Sequence, residues 1–283
     1  MLRRSLAFLA ILAIALVAVS LSAAAHQRTH RSQAIPLRIV SLSPTVTEDL
    51  FAIGAGKQVV AVDQDSSYPK SAPRTSLSGL QPNVEAIANY HPDLVVISYG
   101  GPYIQQLEGL GIRVVDMPAA KTIIGAYAEI KELGRMTGHL ARAQRLVASM
   151  AAELQAVVHS VPKSHRHLRV YDELDPTYYS ATSATFIGRI YKLFGFRNIA
   201  DAADKEHTGY PQLSAEYILK ANPQLIVLAD GVKPAKVAAR PGWKTTAAVK
   251  DHRVVAVNED IASRWGPRIV DFARAIAAIA RQG

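Results

Sequence analysis

Three carboxylates cluster in the segment DELD, where Asp172, Glu173 and Asp175 follow a short run of strand-forming residues. Paired carboxylates at a strand end can perform general acid–base chemistry, because one can hold a proton while its neighbour stays ionised. The same cluster can instead form a polar rim at the entrance of a cavity. The sequence favours the rim, and an exported enzyme that uses these carboxylates is kept as an alternative.

Other patterns that carry chemistry are missing from the sequence. The chain has no cysteine, which excludes disulfides, a thiol nucleophile and a cysteine zinc site. Its nine histidines form no HExxH motif, and no GxSxG elbow occurs. We therefore predict no catalytic residues, no metal site and no cofactor.

Aromatic side chains collect in the loops that follow predicted strands or precede predicted helices. In open α/β sheets, the carboxyl ends of the strands face the ligand crevice. Aromatic walls with a few polar groups are typical of small-molecule sites. The sequence therefore predicts a ligand site, and its aromatic candidates are Tyr68, Tyr99, Tyr103, Tyr178, Tyr179, Tyr210 and Trp265.

The elements that must position these residues follow a regular alternation. Seven short, largely β-branched runs are separated by stretches with helical character. Such alternation indicates βαβ units and a largely parallel sheet whose strands are buried on both faces. The runs begin at Arg38, Val59, Asp93, Arg113, Arg169, Leu225 and Arg253.

A frame of residues occurs twice, which indicates two related lobes. Glutamate, isoleucine and proline recur with a shift of 131 positions, and an aliphatic run follows each copy. The matched residues are Glu85, Ile87 and Pro92, then Glu216, Ile218 and Pro223. Asn83 and Ser214 are expected helix N-caps, which would place each glutamate in a first helical turn. Burial of a strand explains the aliphatic runs but does not explain why a glutamate heads both copies.

Between the two copies lies a stretch with an apolar stripe at helical spacing, which predicts one long helix that joins the lobes. At 1.5 Å per residue, such a helix of roughly 23 residues would span about 35 Å. The predicted organisation is a signal peptide (1–25), a flexible leader (26–36), an N-terminal α/β lobe (37–137), the backbone helix (138–161) and a C-terminal α/β lobe (162–283).

The first residues have the pattern of a secretory signal peptide. A basic start, MLRR, precedes an apolar stretch and small residues before His26. With no cysteine for lipid attachment, a periplasmic or secreted protein is expected. An uncleaved anchor, and with it a membrane-anchored sensor, is a second alternative. The net charge of +9 comes from scattered basic residues, so no nucleic-acid partner is predicted.

Five segments together resemble the solute-binding proteins of ABC importers that have a helical backbone. This group includes cobalamin, ferric-siderophore and haem receptors, and the cobalamin-receptor type is the most similar. The similarity extends from Arg38 to about Arg281. The segments are RIVSLSPTVTEDLFAIGAG, VVAVDQDSSYP, NVEAIANYHPDLVV, GIRVV and GPRIV.

The resemblance implies two lobes with mostly parallel sheets flanked by helices, joined by one long helix, with a ligand cleft between them. It implies a monomer, without enzymatic activity, that delivers a corrinoid or an iron chelate to an ABC permease dimer and its ATPase subunits. Glu85 and Glu216 would dock on the two permease halves, and Arg264 would pair with an acidic group of the ligand. The residues that it implies around the cleft are Tyr68, Tyr99, Gly100, Tyr178, Tyr179, Tyr210 and Arg264.

Overall fold

Eight short strands form the framework of this protein. The structure, a computed structural model, describes residues 35–281, so the expected signal peptide and nearly all of the expected leader lie outside the described residues. The strands are β1 (Ile39–Leu42), β2 (Val59–Val62), β3 (Leu94–Ile97), β4 (Arg113–Asp116), β5 (Arg169–Glu173), β6 (Arg197–Asn198), β7 (Leu225–Leu228) and β8 (Val254–Ala256).

The strands pair into two four-stranded parallel sheets. The first has the order β2-β1-β3-β4 and the second β6-β5-β7-β8. Successive residues of the central strands point to opposite faces, so Leu94 and Val95 enter different cores, as do Leu225 and Ile226. The predicted α/β class with parallel sheets is confirmed. Strands β1, β3 and β7 are fully buried, whereas the edge strands β4, β6 and β8 are partly exposed. Strand β6 was not predicted, because two residues are too few to form a recognisable run.

Helices cover both sheets. They are α1 (Pro44–Ala52), α2 (Val84–Ala88), α3 (Pro102–Gly109), α4 (Ile123–Thr137), α5 (Leu140–His159), α6 (Phe186–Leu193), α7 (Ala215–Ala221), α8 (Pro234–Ala238), α9 (Ala247–Lys250), α10 (Glu259–Ser263) and α11 (Ile269–Ala280). Among residues 35–281, none of them is long and apolar enough to cross a membrane.

The repeated frame corresponds to a repeated structure. The shift of 131 positions takes β3 onto β7 and the start of α2 onto the start of α7, and the two sheets have equivalent strand orders. Both predicted N-caps are present. Asn83 accepts from the Ala86 N–H at 2.9 Å, and Ser214 accepts from the Tyr217 N–H at 3.1 Å.

Helix α5 is the predicted long connection, and it contributes to the cores of both sheets. Met150 is buried in a core of the first sheet and Leu154 in a core of the second. The helix begins after Gly138, because that residue has a φ of +78° and ends α4 instead. Helix α11 also joins the two cores, through Ile269 and Phe272. The residue boundaries of the two lobes stay a prediction.

Candidate functional site

A cavity of about 390 Å³ lies between loops that follow the first sheet and loops that belong to the second. We call it the cleft cavity. The first sheet contributes the loop after β4, and the second contributes the start of α6, the loop before α7 and the segment after α10. Its lining residues are Ala119, Ala120, Lys121, Ala184, Thr185, Phe186, Ile187, His207, Thr208, Gly209, Tyr210, Ser263 and Trp265.

A second, more polar cavity of about 390 Å³ adjoins the first through Thr208 and Tyr210, and it includes Tyr179. The two tyrosines lie on neighbouring segments that pair like short strands. The Ser180 N–H donates to the Pro211 carbonyl at 3.0 Å, and Tyr179 and Gln212 form an antiparallel bridge. Tyr179, Tyr210 and Trp265 are therefore gathered around two adjoining cavities, and their contact with a ligand stays a prediction.

Asp204 holds the loop that carries His207 and Tyr210. Its carboxylate accepts from the Thr208 N–H at 3.0 Å and from the Gly209 N–H at 2.8 Å. These bonds hold the pKa of Asp204 below its ordinary value, so the clamp stays ionised at neutral pH. The loop is thereby ordered before any ligand arrives.

Tyr68 lies at a third cavity, of about 450 Å³, which borders helices α1, α5 and α11. Its ring is 48% exposed, and the Arg268 guanidinium lies 4.5 Å from the ring centroid. This distance is typical of a cation–π contact. The structure therefore separates Tyr68 from the residues that line the cleft cavity.

Arg264 is buried and its charge is already balanced inside the protein. It donates to Glu48 at 2.6 Å, to Asp260 at 2.7 Å and to the Asp65 carbonyl at 3.0 Å. Arg268 also donates to Glu48, at 2.8 Å. Arg264 lines none of the three cavities, and its pairing with a ligand acid stays a prediction. Glu48 was not predicted as a site residue, because on the sequence it is an ordinary acid near a helix start.

Tyr99 and Gly100 follow β3 and line none of these cavities. Tyr99 is 60% exposed. A Cβ atom added at Gly100 would lie 2.8 Å from an Asp116 carboxylate oxygen, so a larger residue would crowd that side chain. Their contact with a ligand stays a prediction.

Tyr178 packs against the second sheet and does not line these cavities. Its ring stacks on Trp243 at 6.0 Å, and the Arg240 guanidinium lies 5.4 Å from the Tyr178 ring centroid. The backbone of Tyr178 has a φ of +73°. The sequence analysis missed Trp243, a buried residue that gives Tyr178 its neighbour.

The DELD carboxylates are used for internal bonds. Glu173 accepts two bonds from Arg240, at 2.6 and 2.7 Å, and Asp172 accepts from the Tyr191 hydroxyl at 2.7 Å. Burial raises the pKa of Asp172 to about 7. Asp175 is farther out and accepts from Thr177. The three side chains line none of the three cavities, so neither the polar rim nor an acid–base pair at these cavities is formed by them.

Glu85 and Glu216 are both exposed in the first turns of α2 and α7, as predicted. Hydrogen bonds from the backbone and from the Ser214 side chain lower the pKa of Glu216, which keeps it ionised. Within residues 35–281, no three His, Asp or Glu side chains converge into a metal site.

Known proteins share this sequence and fold. A periplasmic binding protein family model matches residues 39–261. An uncharacterized ABC transporter substrate-binding lipoprotein of Bacillus subtilis is 33% identical over 252 residues, covering 86% of this chain and 79% of that protein. A vitamin B12-binding protein of Pectobacterium carotovorum is 31% identical over 255 residues, covering 87% of this chain and 88% of that protein.

A solved structure shares the fold. It comes from Staphylococcus epidermidis and is described as a possible iron-binding periplasmic solute-binding protein. It has a TM-score of 0.76 at 27% identity, covering 87% of this chain and 99% of that chain. The chain therefore belongs to the periplasmic binding protein family.

Proposed function

We propose that this protein captures a corrinoid or an iron chelate in the cleft cavity and delivers it to an ABC importer. The observation that carries the proposal is a cavity between the two sheets whose walls include Phe186, Tyr210 and Trp265. The relatives named for vitamin B12 and for iron support these two ligand classes.

The cavity has the chemistry of a binding site without covalent steps. Aromatic faces contribute stacking and apolar burial, while Lys121 adds positive charge and His207 adds ring nitrogens that can form hydrogen bonds at the wall. The Asp204 clamp reduces the entropy that the loop loses on binding. The protein therefore acts as a non-enzymatic carrier.

We further propose that residues 1–25 direct export, and that the carrier works as a monomer in the periplasm or outside the cell. The chain has no cysteine that could carry a lipid, which distinguishes it from the lipoprotein relative. Its partners would be a permease dimer and the ATPase subunits bound to that dimer.

Ligand binding is tested by titrating the purified protein with cyanocobalamin, haemin and a ferric hydroxamate, followed by visible absorbance. We expect saturable binding of at least one probe at a ratio of one to one. Tyr210→Ala should weaken it by about tenfold, because an exposed aromatic side chain that the ligand buries commonly contributes more than about 1 kcal/mol. Tyr103→Ala is the matched control, since Tyr103 lines none of the three cavities. Equal affinities for wild type and Tyr210→Ala would contradict the assigned site.

Permease docking is tested by reversing the charges of the repeated glutamates. Glu85→Lys combined with Glu216→Lys should lower uptake in cells by about tenfold, because it places like charges against a basic permease surface. Ligand affinity should stay within twofold, since both side chains are exposed. Glu108→Lys, another exposed glutamate, serves as the control. A loss of ligand affinity in the double variant would instead assign these residues to the binding site.

A further inference from the structure

The backbone on both sides of Trp265 is held in place by buried contacts. Arg264 precedes it and is bound by Glu48 and Asp260. Gly266 follows it, and a Cβ atom there would lie 3.2 Å from a carboxylate oxygen of Asp49. The segment is therefore anchored to α1 through the bond from Arg264 to Glu48 and approaches α1 closely at Gly266.

The indole ring of Trp265 has its own partner. Its Nε1–H donates to a carboxylate oxygen of Glu129 at 2.9 Å. Glu129 belongs to α4, a helix of 15 residues whose N-cap, Thr122, accepts from the Gly125 N–H at 2.9 Å. The acceptor is thus supplied by a rigid element outside the cleft lining, while the ring itself lines the cleft cavity.

Glu129 is well suited to hold this ring. Burial raises its pKa, and the bond from Trp265 works in the opposite direction by stabilising the ionised carboxylate. A hydrogen bond to a charged acceptor is stronger than a bond between neutral groups. With the backbone already fixed, this bond selects one orientation of the indole.

We propose that Glu129 is a positioning residue that fixes the Trp265 indole as a wall of the cleft cavity, and that this wall receives a conjugated face of the ligand. The inference rests on the proposed function. Glu129 contacts the indole through Nε1 and is not among the cavity lining residues, so it acts through Trp265. A fixed ring improves affinity, because less rotamer freedom is lost when the ligand binds.

The test compares Glu129→Gln, which keeps an acceptor oxygen, with Glu129→Leu, which removes it. The first measurement is acrylamide quenching of tryptophan fluorescence without ligand. Trp243 is 1% exposed, so quenching reports mainly on Trp265, and Trp265→Phe gives the background. The second measurement is affinity for cyanocobalamin and haemin, two probes with conjugated macrocycles. Thermal unfolding confirms that each variant is folded.

We expect Glu129→Leu to raise the quenching constant about twofold and to weaken binding about tenfold, the fold-change that loss of a charge-assisted bond implies. Glu129→Gln should show a clearly smaller change than Glu129→Leu in both measurements, because its amide oxygen can still accept the bond from Trp265 but lacks the charge. Unchanged quenching and affinity in Glu129→Leu, while wild type binds a probe, would overturn this inference alone. Equal defects in Glu129→Gln and Glu129→Leu would also overturn it. If wild type binds neither probe nor a ferric hydroxamate, the proposed function fails and the ligand role fails with it.

Discussion

Replacement of Glu48 by leucine is expected to destabilise the folded protein by about 3–5 kcal/mol. The side chain of Glu48 is 1% exposed and accepts hydrogen bonds from both Arg264 and Arg268, which are themselves 8% and 16% exposed. Removing the acid leaves two guanidinium groups inside the protein without their main counter-charge. Breaking a buried ion pair from one side commonly costs this much.

Urea denaturation measures the change, and an exposed ion pair supplies the control. Glu132 pairs with Arg135 on the surface of α4, where both side chains are about half exposed. Glu132→Leu should therefore cost less than about 1 kcal/mol. A triple variant that replaces Glu48 by leucine and both arginines by methionine should recover much of the loss, because none of these three charges is left buried without its partners. A loss below 1 kcal/mol in Glu48→Leu would show that the three charges are solvated.

The Asp172→Asn variant is expected to be more stable than wild type at pH 8 and equally stable near pH 4. Asp172 is buried, and one of its carboxylate oxygens has no hydrogen-bond partner. Burial raises its pKa from 3.8 to about 7. Asparagine resembles the protonated acid, and its carbonyl oxygen can still accept the bond from Tyr191.

The direction in which the stability changes with pH follows from proton linkage. Between about pH 4 and pH 7, the folded protein holds a proton that the unfolded chain has released, so stability falls as pH rises. Across this window the loss at Asp172 is on the order of 4 kcal/mol, and it is fully present above pH 7. Asparagine does not titrate and avoids the loss. The difference between the two proteins in urea denaturation at pH 4, 6 and 8 measures this effect. A difference that is constant with pH would contradict the prediction.

The sequence alone was sufficient for the fold class, because parallel strands buried on both faces leave continuous apolar runs. It was also sufficient for the duplication, since the same residue types recur 131 positions apart. Strands β3 and β7 are separated by the same 131 positions. Capping by Asn83 and Ser214 is a local interaction and was equally predictable. The apolar runs and the N-caps depend on neighbours within a few residues, and the duplication is a direct repeat of residue types along the chain.

The arrangement of the site required the tertiary structure. Arg264 donates a hydrogen bond to Glu48, which is 216 positions away in the sequence. Trp265 donates one to Glu129, which is 136 positions away. The family resemblance placed Arg264 near the ligand, and the sequence alone could not show its bond to Glu48. Tyr178 was assigned to the cleft because it lies in a loop after a predicted strand and because of the resemblance. Its stacking on Trp243 could not be foreseen from the sequence.

The sequence by itself determined two parallel α/β sheets, a helix that connects them, and exposed glutamates at equivalent helix starts. Only the tertiary structure decided which aromatic residues share a cavity and which charged residues neutralise each other. The physical reason is the distance along the chain over which each kind of interaction acts. Periodicity and capping act along the chain, whereas the packing of α1, α4 and the segment around Trp265 brings distant residues within hydrogen-bond distance. The ligand site is therefore a product of that packing.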